Sequence, residues 1–493
     1  MAVVRRCRRW FRFGLRQWLH QHRHELAGYA ISAATLCLIA LILAGVVLPR
    51  ATVDRFVDSF IGVAEESRKD NLEQQLEVTI EPEDLIIGEV DSNLKQLLSD
   101  FDDGTQQEEL HSVEREDPTT DLVPTDSEMM HFLEAGELGG RSEAGRNASL
   151  KKYGGTQQSE KAVMSGLRWL QQRQQKNGSW NFRKVGPQAA AGRYDRTEVG
   201  STSLALLCFL GAGHTHRSEG PYQQTVQRGL HFIVSQAEDV QGTADLRGEA
   251  QGNSGMYVQG LATICIAEAY GLERRDEELE ELTQRAAAFI ERSQDPIGGG
   301  WRYEPREEGD TSVVGWQVMA LQSARTGRVR VSSKTFHNVR EFLRSVSGDD
   351  RGSTYKYRPD DERARNSMTA VGLLCRLYLG WPPDFEPMQA GVARLAAAGP
   401  SPTNLYYNYY ATQVLHHTGG ERWRKWNEKM REQLIRTQVQ KGPAAGSWAP
   451  TDSHGRTGGQ LYQTALSILT LEVYYRHLPM YQRLKHDPAV VLD

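Results

Sequence analysis

Five cysteines in 493 residues, with no C-x2-C pair and no Cys/His cluster, exclude a disulfide framework. Cys7 falls in the N-terminal tip and Cys37 in an apolar run. Cys208, Cys265 and Cys375 recur at one offset in separate apolar segments, as small buried hydrophobes do. No basic stripe interleaved with aromatics is present, so no nucleic-acid partner is expected. From Gly28 to Leu48 charge is missing altogether, over a length sufficient to span a bilayer. Seven arginines precede this run against the single acid Glu25. The positive-inside rule then keeps residues 1–27 in the cytoplasm, makes 28–48 a single-pass inner-membrane anchor, and puts the rest on the periplasmic side. The rival reading is a cleaved signal peptide, but the apolar core is long and AGVVLPRA offers no A-x-A site. Residues 49–157 are poor in basic and aromatic residues and rich in acids (EPEDLIIGEVD, SDFDDGTQQEEL, EREDPTTD). Such a composition buries too little apolar surface to offset chain entropy, so a largely disordered linker is expected. The net charge of −5 thus divides into a basic tip, an acidic linker and a near-neutral remainder.

That remainder repeats. STSLALLCFL, VQGLATICIA, TSVVGWQVMA, SMTAVGLLCR, YNYYATQVLH and LYQTALSILT share a small residue in register: Ala205, Ala262, Gly315, Gly372, Ala411 and Ala465. The steps are mostly about 55 residues with one of about 40, the sign of a repeat architecture. Nearly all-apolar helices with small contact positions are buried on every side. Ahead of each runs an amphipathic helix, near 160–175, 222–236, 276–293, 334–346, 387–399 and 426–439. A solenoid would need atypical end repeats, whereas the first and last here are as apolar as the rest. The expected fold is therefore all-α: six helical hairpins closed into an (α/α)6 toroid over 158–485, with 486–493 a tail.

Three turns between outer and inner helices share Gln, Gly and Trp: Gln174, Gly178 and Trp180; Gln294, Gly299 and Trp301; Gln438, Gly446 and Trp448. The Gln can bond orphan backbone groups, the Gly permits a left-handed stop, and the Trp covers the helix end. These turns resemble the repeats of squalene cyclases and protein prenyltransferase β-subunits, over about two-thirds of the chain. The whole is most similar to membrane-anchored prenyltransferase/squalene-oxidase repeat proteins of planctomycetes. The resemblance implies the terpenoid-cyclase toroid and places any chemistry at the N-terminal rim of the inner helices.

Tested against that family, both known constellations are broken. The cyclase acid D-x-D-D-T-A aligns with Glu307 to Ser312, and its central Asp is Gly309. The transferase zinc ligands align with Asp310, Ser312 and Gln463, so the thiolate and imidazole are missing. No metal and no cofactor are expected; a zinc, were one present, would have to recruit His214, His216 or His454. The remaining candidate acids are Asp310, which also reads as a helix N-cap, Glu198, and Asp360 with Asp361, a pattern that is more often a solvated ion-pair loop than an acid site. His416 and His417 diverge on one helix and make poor joint ligands. Tyr257, Trp301, Trp316, Tyr406, Tyr407, Tyr409, Tyr410 and Tyr462 are the candidate cavity-lining residues. They would serve an isoprenoid pocket or simply core packing. The leading expectation is a membrane-anchored binding or scaffold module, with a hydrophobic ligand or a protein as partner. The alternatives are an isoprenoid enzyme with a non-standard acid and an (α/α)6 glycan hydrolase or lyase.

Overall fold

The computed structural model describes residues 140–185, 197–250, 252–451 and 453–477. The expected cytoplasmic tip, membrane span, acidic stretches and C-terminal tail lie outside these residues, as does the side chain of His454. Among the described residues no helix is long and apolar enough to cross a membrane.

Six inner helices form the wall of a ring: α3 (Glu198–Gly211), α5 (Gly255–Leu272), α7 (Thr311–Thr326), α9 (Asn366–Tyr378), α11 (Leu405–Thr418) and α13 (Ser453–Leu471). Each packs against the next, and α13 packs against α3, so the ring closes on itself. Six outer helices alternate with them: α2 (Gln157–Gln171), α4 (Gln223–Ser235), α6 (Glu277–Arg292), α8 (Ser333–Ser345), α10 (Glu386–Ala398) and α12 (Gly420–Thr437). The small register residues are what allow the inner helices to approach. A Cβ on Gly315 would stand 2.5 Å from Val371 Cγ1, and one on Gly372 would enter the Tyr355 ring at 2.3 Å. The all-α (α/α)6 expectation therefore holds, with one small antiparallel ribbon, β1 (Glu238–Val240) and β2 (Thr243–Asp245), inserted before α5.

The three Gln…Gly-x-Trp turns are built alike. Gln174 Nε2 donates to the Gly178 and Thr225 carbonyls (both 2.9 Å), and Gln294 Nε2 to those of Gly299 and Thr335 (2.9 and 3.0 Å). Gln438 Nε2 donates to those of Gly446 and Ala162 (2.9 and 2.8 Å). Each indole N–H donates back to the preceding outer helix, at Leu170, Ile290 and Leu434. One amide thus caps its own turn and grips the following outer helix. In the third copy that helix is α2, the first of the ring. Gly178, Gly299 and Gly446 all have positive φ, at 90°, 74° and 92°. A Cβ at each would lie 2.3 Å from a backbone oxygen of the gripped helix, so glycine is required twice over.

Residues 143–153, assigned to the linker by composition, form helix α1 (Glu143–Tyr153), capped by Ser142 and stopped at Gly154 (φ 87°). It seats on α14 (Val473–Arg476) and on α12, where Trp423 Nε1 donates to the Tyr153 carbonyl at 3.1 Å. Tyr153 is its one large buried apolar residue, which is why periodicity does not reveal it.

Candidate functional site

All six inner helices run the same way. Residues near the N-termini of α5, α7 and α11 meet at one end of the ring, where Ser312 Oγ receives the Tyr257 hydroxyl at 3.1 Å and hydrogen-bonds the Tyr406 hydroxyl at 2.8 Å. Beside this bridge, Asp310 caps α7, its Oδ1 accepting from Val313 N at 2.8 Å. Its Oδ2 accepts from the Tyr357 hydroxyl at 3.1 Å, with Arg302 Nε at 3.8 Å. Tyr357 in turn shares a hydrogen bond with Tyr303. The Asp310 carboxyl is wholly buried. Burial pushes its pKa up to about 7, against the lowering effects of the Val313 N–H, Arg302 and Tyr357.

That shift sets a pH dependence. A carboxyl whose folded-state pKa exceeds its ordinary value of 3.8 contributes fully below that value, and its contribution fades as pH rises through 7. Asp310→Asn keeps the cap and stays neutral at every pH. Urea denaturation should therefore show the wild type losing on the order of 4 kcal/mol relative to Asp310→Asn between pH 4 and 8. Parallel curves would mean that the buried carboxyl carries no penalty.

Below the bridge, Trp316 of α7 stacks on Tyr409 of α11, with centroids 5.9 Å apart and planes at 14°. Tyr410 meets the same indole edge-on at 5.8 Å. Because α7 and α11 are not neighbours in the wall, these contacts cross the middle of the ring. Deeper still, Arg476 Nη1 donates to the Tyr409 hydroxyl at 3.1 Å, and Arg476 Nη2 pairs with Glu268 Oε1 at 2.9 Å. Arg141 Nη1 pairs with the other Glu268 oxygen at 2.7 Å. Sequence reasoning missed this network. The signal was Glu268, a lone carboxylate in the otherwise apolar run ICIAEAYGL.

The aromatic candidates therefore divide. Tyr257, Trp316, Tyr406, Tyr409 and Tyr410 meet within the ring, while Tyr462 is buried midway along α13, three residues after the non-helical Gly459 (φ 71°). Trp301 sits in the hairpin turn, bonded to Ile290. Tyr407 points to the outer layer, donating to the Leu395 carbonyl at 3.3 Å and packing on Trp426. The other candidate acids are engaged elsewhere. Glu198 accepts from Asn181 Nδ2 (2.8 Å) and Ser179 Oγ (3.2 Å). Asp360 pairs with Arg358 at 3.4 Å and Asp361 with Arg365 at 3.6 Å; burial raises the Asp361 pKa.

Gly309 is pinned. A Cβ there would stand 2.7 Å from the Gly300 Cα and 2.8 Å from the Phe342 ring. Gln463 is buried, its Nε2 donating to Thr451 Oγ1 at 3.4 Å. Among the described residues no group of three or more His, Cys, Asp or Glu is arranged to hold a metal ion. His214 packs against Tyr222, and burial, with Arg146, lowers its pKa to about 4. His216 Nε2 lies 2.8 Å from Asp276 Oδ2. His416 and His417 sit at the lower end, where His416 Nε2 faces the His477 carbonyl at 2.9 Å.

Neither a family model nor a curated protein matches the sequence. Among solved structures, the chain is similar to an inactive variant of an α-1,6-mannanase from Salegentibacter sp. HEL1_6. That match has 9% identity and a TM-score of 0.46, covering 65% of this chain and 99% of that one. The type II terpene cyclase MstE from Scytonema matches at 12% identity and a TM-score of 0.42, over 65% of this chain and 98% of that one. An α-amylase from Clostridium perfringens matches at 10% identity and a TM-score of 0.44, over 64% and 97%. Identities this low transfer no chemistry; the closed ring is established by the helix packing of this chain itself.

Proposed function

We propose that the chain is a non-catalytic scaffold of toroid form, tethered to a membrane by its N-terminal apolar span and working through its outer surface. One observation carries this reading: buried side chains of the ring meet one another across its interior. The Tyr257–Ser312–Tyr406 bridge, the Trp316–Tyr409 stack and Arg476 follow one another down the ring, each of these residues 6% exposed or less. The indole nitrogen of Trp316 is buried and has no hydrogen-bond partner among the described residues. Asp310, the wholly buried acid at the rim, is spent on the cap and on Tyr357.

The test is product formation. The full chain in detergent, incubated with squalene, prenyl diphosphates and α-linked oligosaccharides, should give no cyclised, transferred or hydrolysed product. Turnover of any of them would replace the scaffold with an enzyme of that class. Restoring the cyclase acid by Gly309→Asp should not rescue activity. The new side chain would meet Gly300 and Phe342 and cost about 1–3 kcal/mol of stability, read as a lower urea midpoint. A Gly309→Asp protein of unchanged stability that cyclised squalene would show that the site had kept its shape.

A further inference from the structure

The basic residues of the toroid are not spread evenly. Residues 321–346 hold six Lys and Arg against one acid, Glu341, which is paired with Arg344. Four of the six, Arg325, Arg328, Arg330 and Lys334, are exposed and, among the described residues, join no ion pair. The neighbouring α6 is acidic but turns three of its five carboxylates to other uses. Glu291 accepts from Ser332 N and Thr335 Oγ1, Glu281 lies by Arg285, and Glu280 reaches Tyr270. The loop is held firmly. Gln284 exchanges hydrogen bonds with the backbone of Arg330, and Arg325 lies over the Phe336 ring at 5.1 Å. Arg328 occupies the left-handed region at φ 66°, where glycine would be less strained. A surplus of exposed, unneutralised cations on a loop anchored through the Arg330 backbone is the electrostatic footprint of an anionic partner.

The chain carries such a partner. Residues 81–139 contain 18 Asp and Glu against two Lys and Arg. They lead directly into Gly140 and Arg141, and Arg141 donates to the carbonyl of Leu210 at the C-terminal end of α3. The basic edge follows the C-terminal end of α7, where Gly327 abuts Tyr270 of α5, so the two lie at the same end of the ring. The 59 residues of the acidic segment reach at most roughly 195–210 Å when fully extended, long enough to cross the end of the ring. Tethering keeps its local concentration high. We propose that the acidic segment 81–139 docks on the edge formed by Arg325, Arg328, Arg330 and Lys334 of its own chain.

Lys334 permits a direct test on the full chain in detergent. Zero-length carbodiimide coupling at low ionic strength should join the Lys334 amine to a carboxylate within 81–139, in monomers, as read by peptide mass mapping. The yield should fall at least about threefold in about 0.5 M salt. It should fall comparably in the triple variant Arg325→Glu, Arg328→Glu, Arg330→Glu, provided its circular dichroism and urea midpoint match the wild type; the pair Arg328→Glu, Arg330→Glu, which keeps the Arg325–Phe336 contact, should show the same direction. Coupling of Lys334 only to Glu341 or other toroid acids, or only between isotopically distinct chains, would overturn the proposal. So would an unchanged yield in the triple variant. Loss of the coupling on adding phosphatidylserine vesicles, with flotation of the protein, would assign the edge to a membrane surface instead.

Discussion

Replacing Trp448 by alanine is expected to cost about 3–5 kcal/mol and to open the ring at one seam. Trp448 is buried, its indole N–H bonded to Leu434 and its backbone N–H to Thr464 Oγ1 at 3.0 Å. It lies beside Gly166 of α2, and the same turn sends Gln438 to the Ala162 carbonyl. No covalent link among the described residues joins the last hairpin to the first, so the seam is held by non-covalent contacts: these, and the packing of α13 on α3 and on α2. Trp180→Ala removes an equivalent side chain, but the hairpins on either side of it remain joined by the chain and can close again. Hydrogen exchange should therefore accelerate across α2, α12 and α13 in Trp448→Ala, and only near α3 and α4 in Trp180→Ala. Gly446→Ala should act at the same seam, since φ of 92° and the Ser165 oxygen at 2.3 Å both oppose a Cβ. Uniform acceleration in both tryptophan variants would mean that the seam is not a separate weak point.

Arg476→Met should be nearly as damaging, at about 3–5 kcal/mol, because it breaks a buried pair from one side. Glu268 and both arginines that hold it are almost inaccessible, with side-chain exposures of 6%, 2% and 2%. The two arginines keep the Glu268 pKa below the usual carboxylate range despite its burial. Without Arg476 the carboxylate keeps only Arg141, and Tyr409 loses its donor. Glu472, whose carboxylate oxygens have no hydrogen-bond partner among the described residues, also loses its principal compensating charge. Burial holds the Glu472 pKa well above the usual range, so its contribution is present at low pH and is lost as pH rises. Arg476→Met should therefore be least harmful in acid, and adding Glu472→Gln should recover part of the loss above neutrality. A loss under about 1 kcal/mol at pH 8 would show that the network is not what closes the lower end.

Why some of this was legible in the sequence and some was not follows from the residues. Ala205 through Ala465 revealed the inner helices because close helix contact demands a small side chain at a fixed period. The Trp turns were visible because three elements coincide in each. A fourth related turn was not: Gly352 (φ 79°) leads to Tyr355, whose backbone N–H bonds Thr369 Oγ1 as Trp180 bonds Thr202, but no Trp marks it. Asp310 was readable as a cap from Asp-Thr-Ser at a helix start, whereas its burial depends on Tyr357, 47 positions away. Of the four clustered tyrosines, three face inward and Tyr407 outward, as about 100° per residue dictates once the inward direction is known. The Arg141–Glu268–Arg476 network spans 335 positions, and charges so far apart in sequence give no sign that they meet.

Hydrogen–deuterium exchange of the full chain, with and without saturating geranylgeranyl diphosphate, tests the filled interior most directly. Peptides covering Tyr257, Ser312 to Trp316 and Tyr406 to Gln413 should exchange slowly and at the same rate in both conditions, because their side chains already occupy one another. Ligand-dependent, saturable protection confined to those peptides would contradict it, by showing that the ring opens to hold a guest.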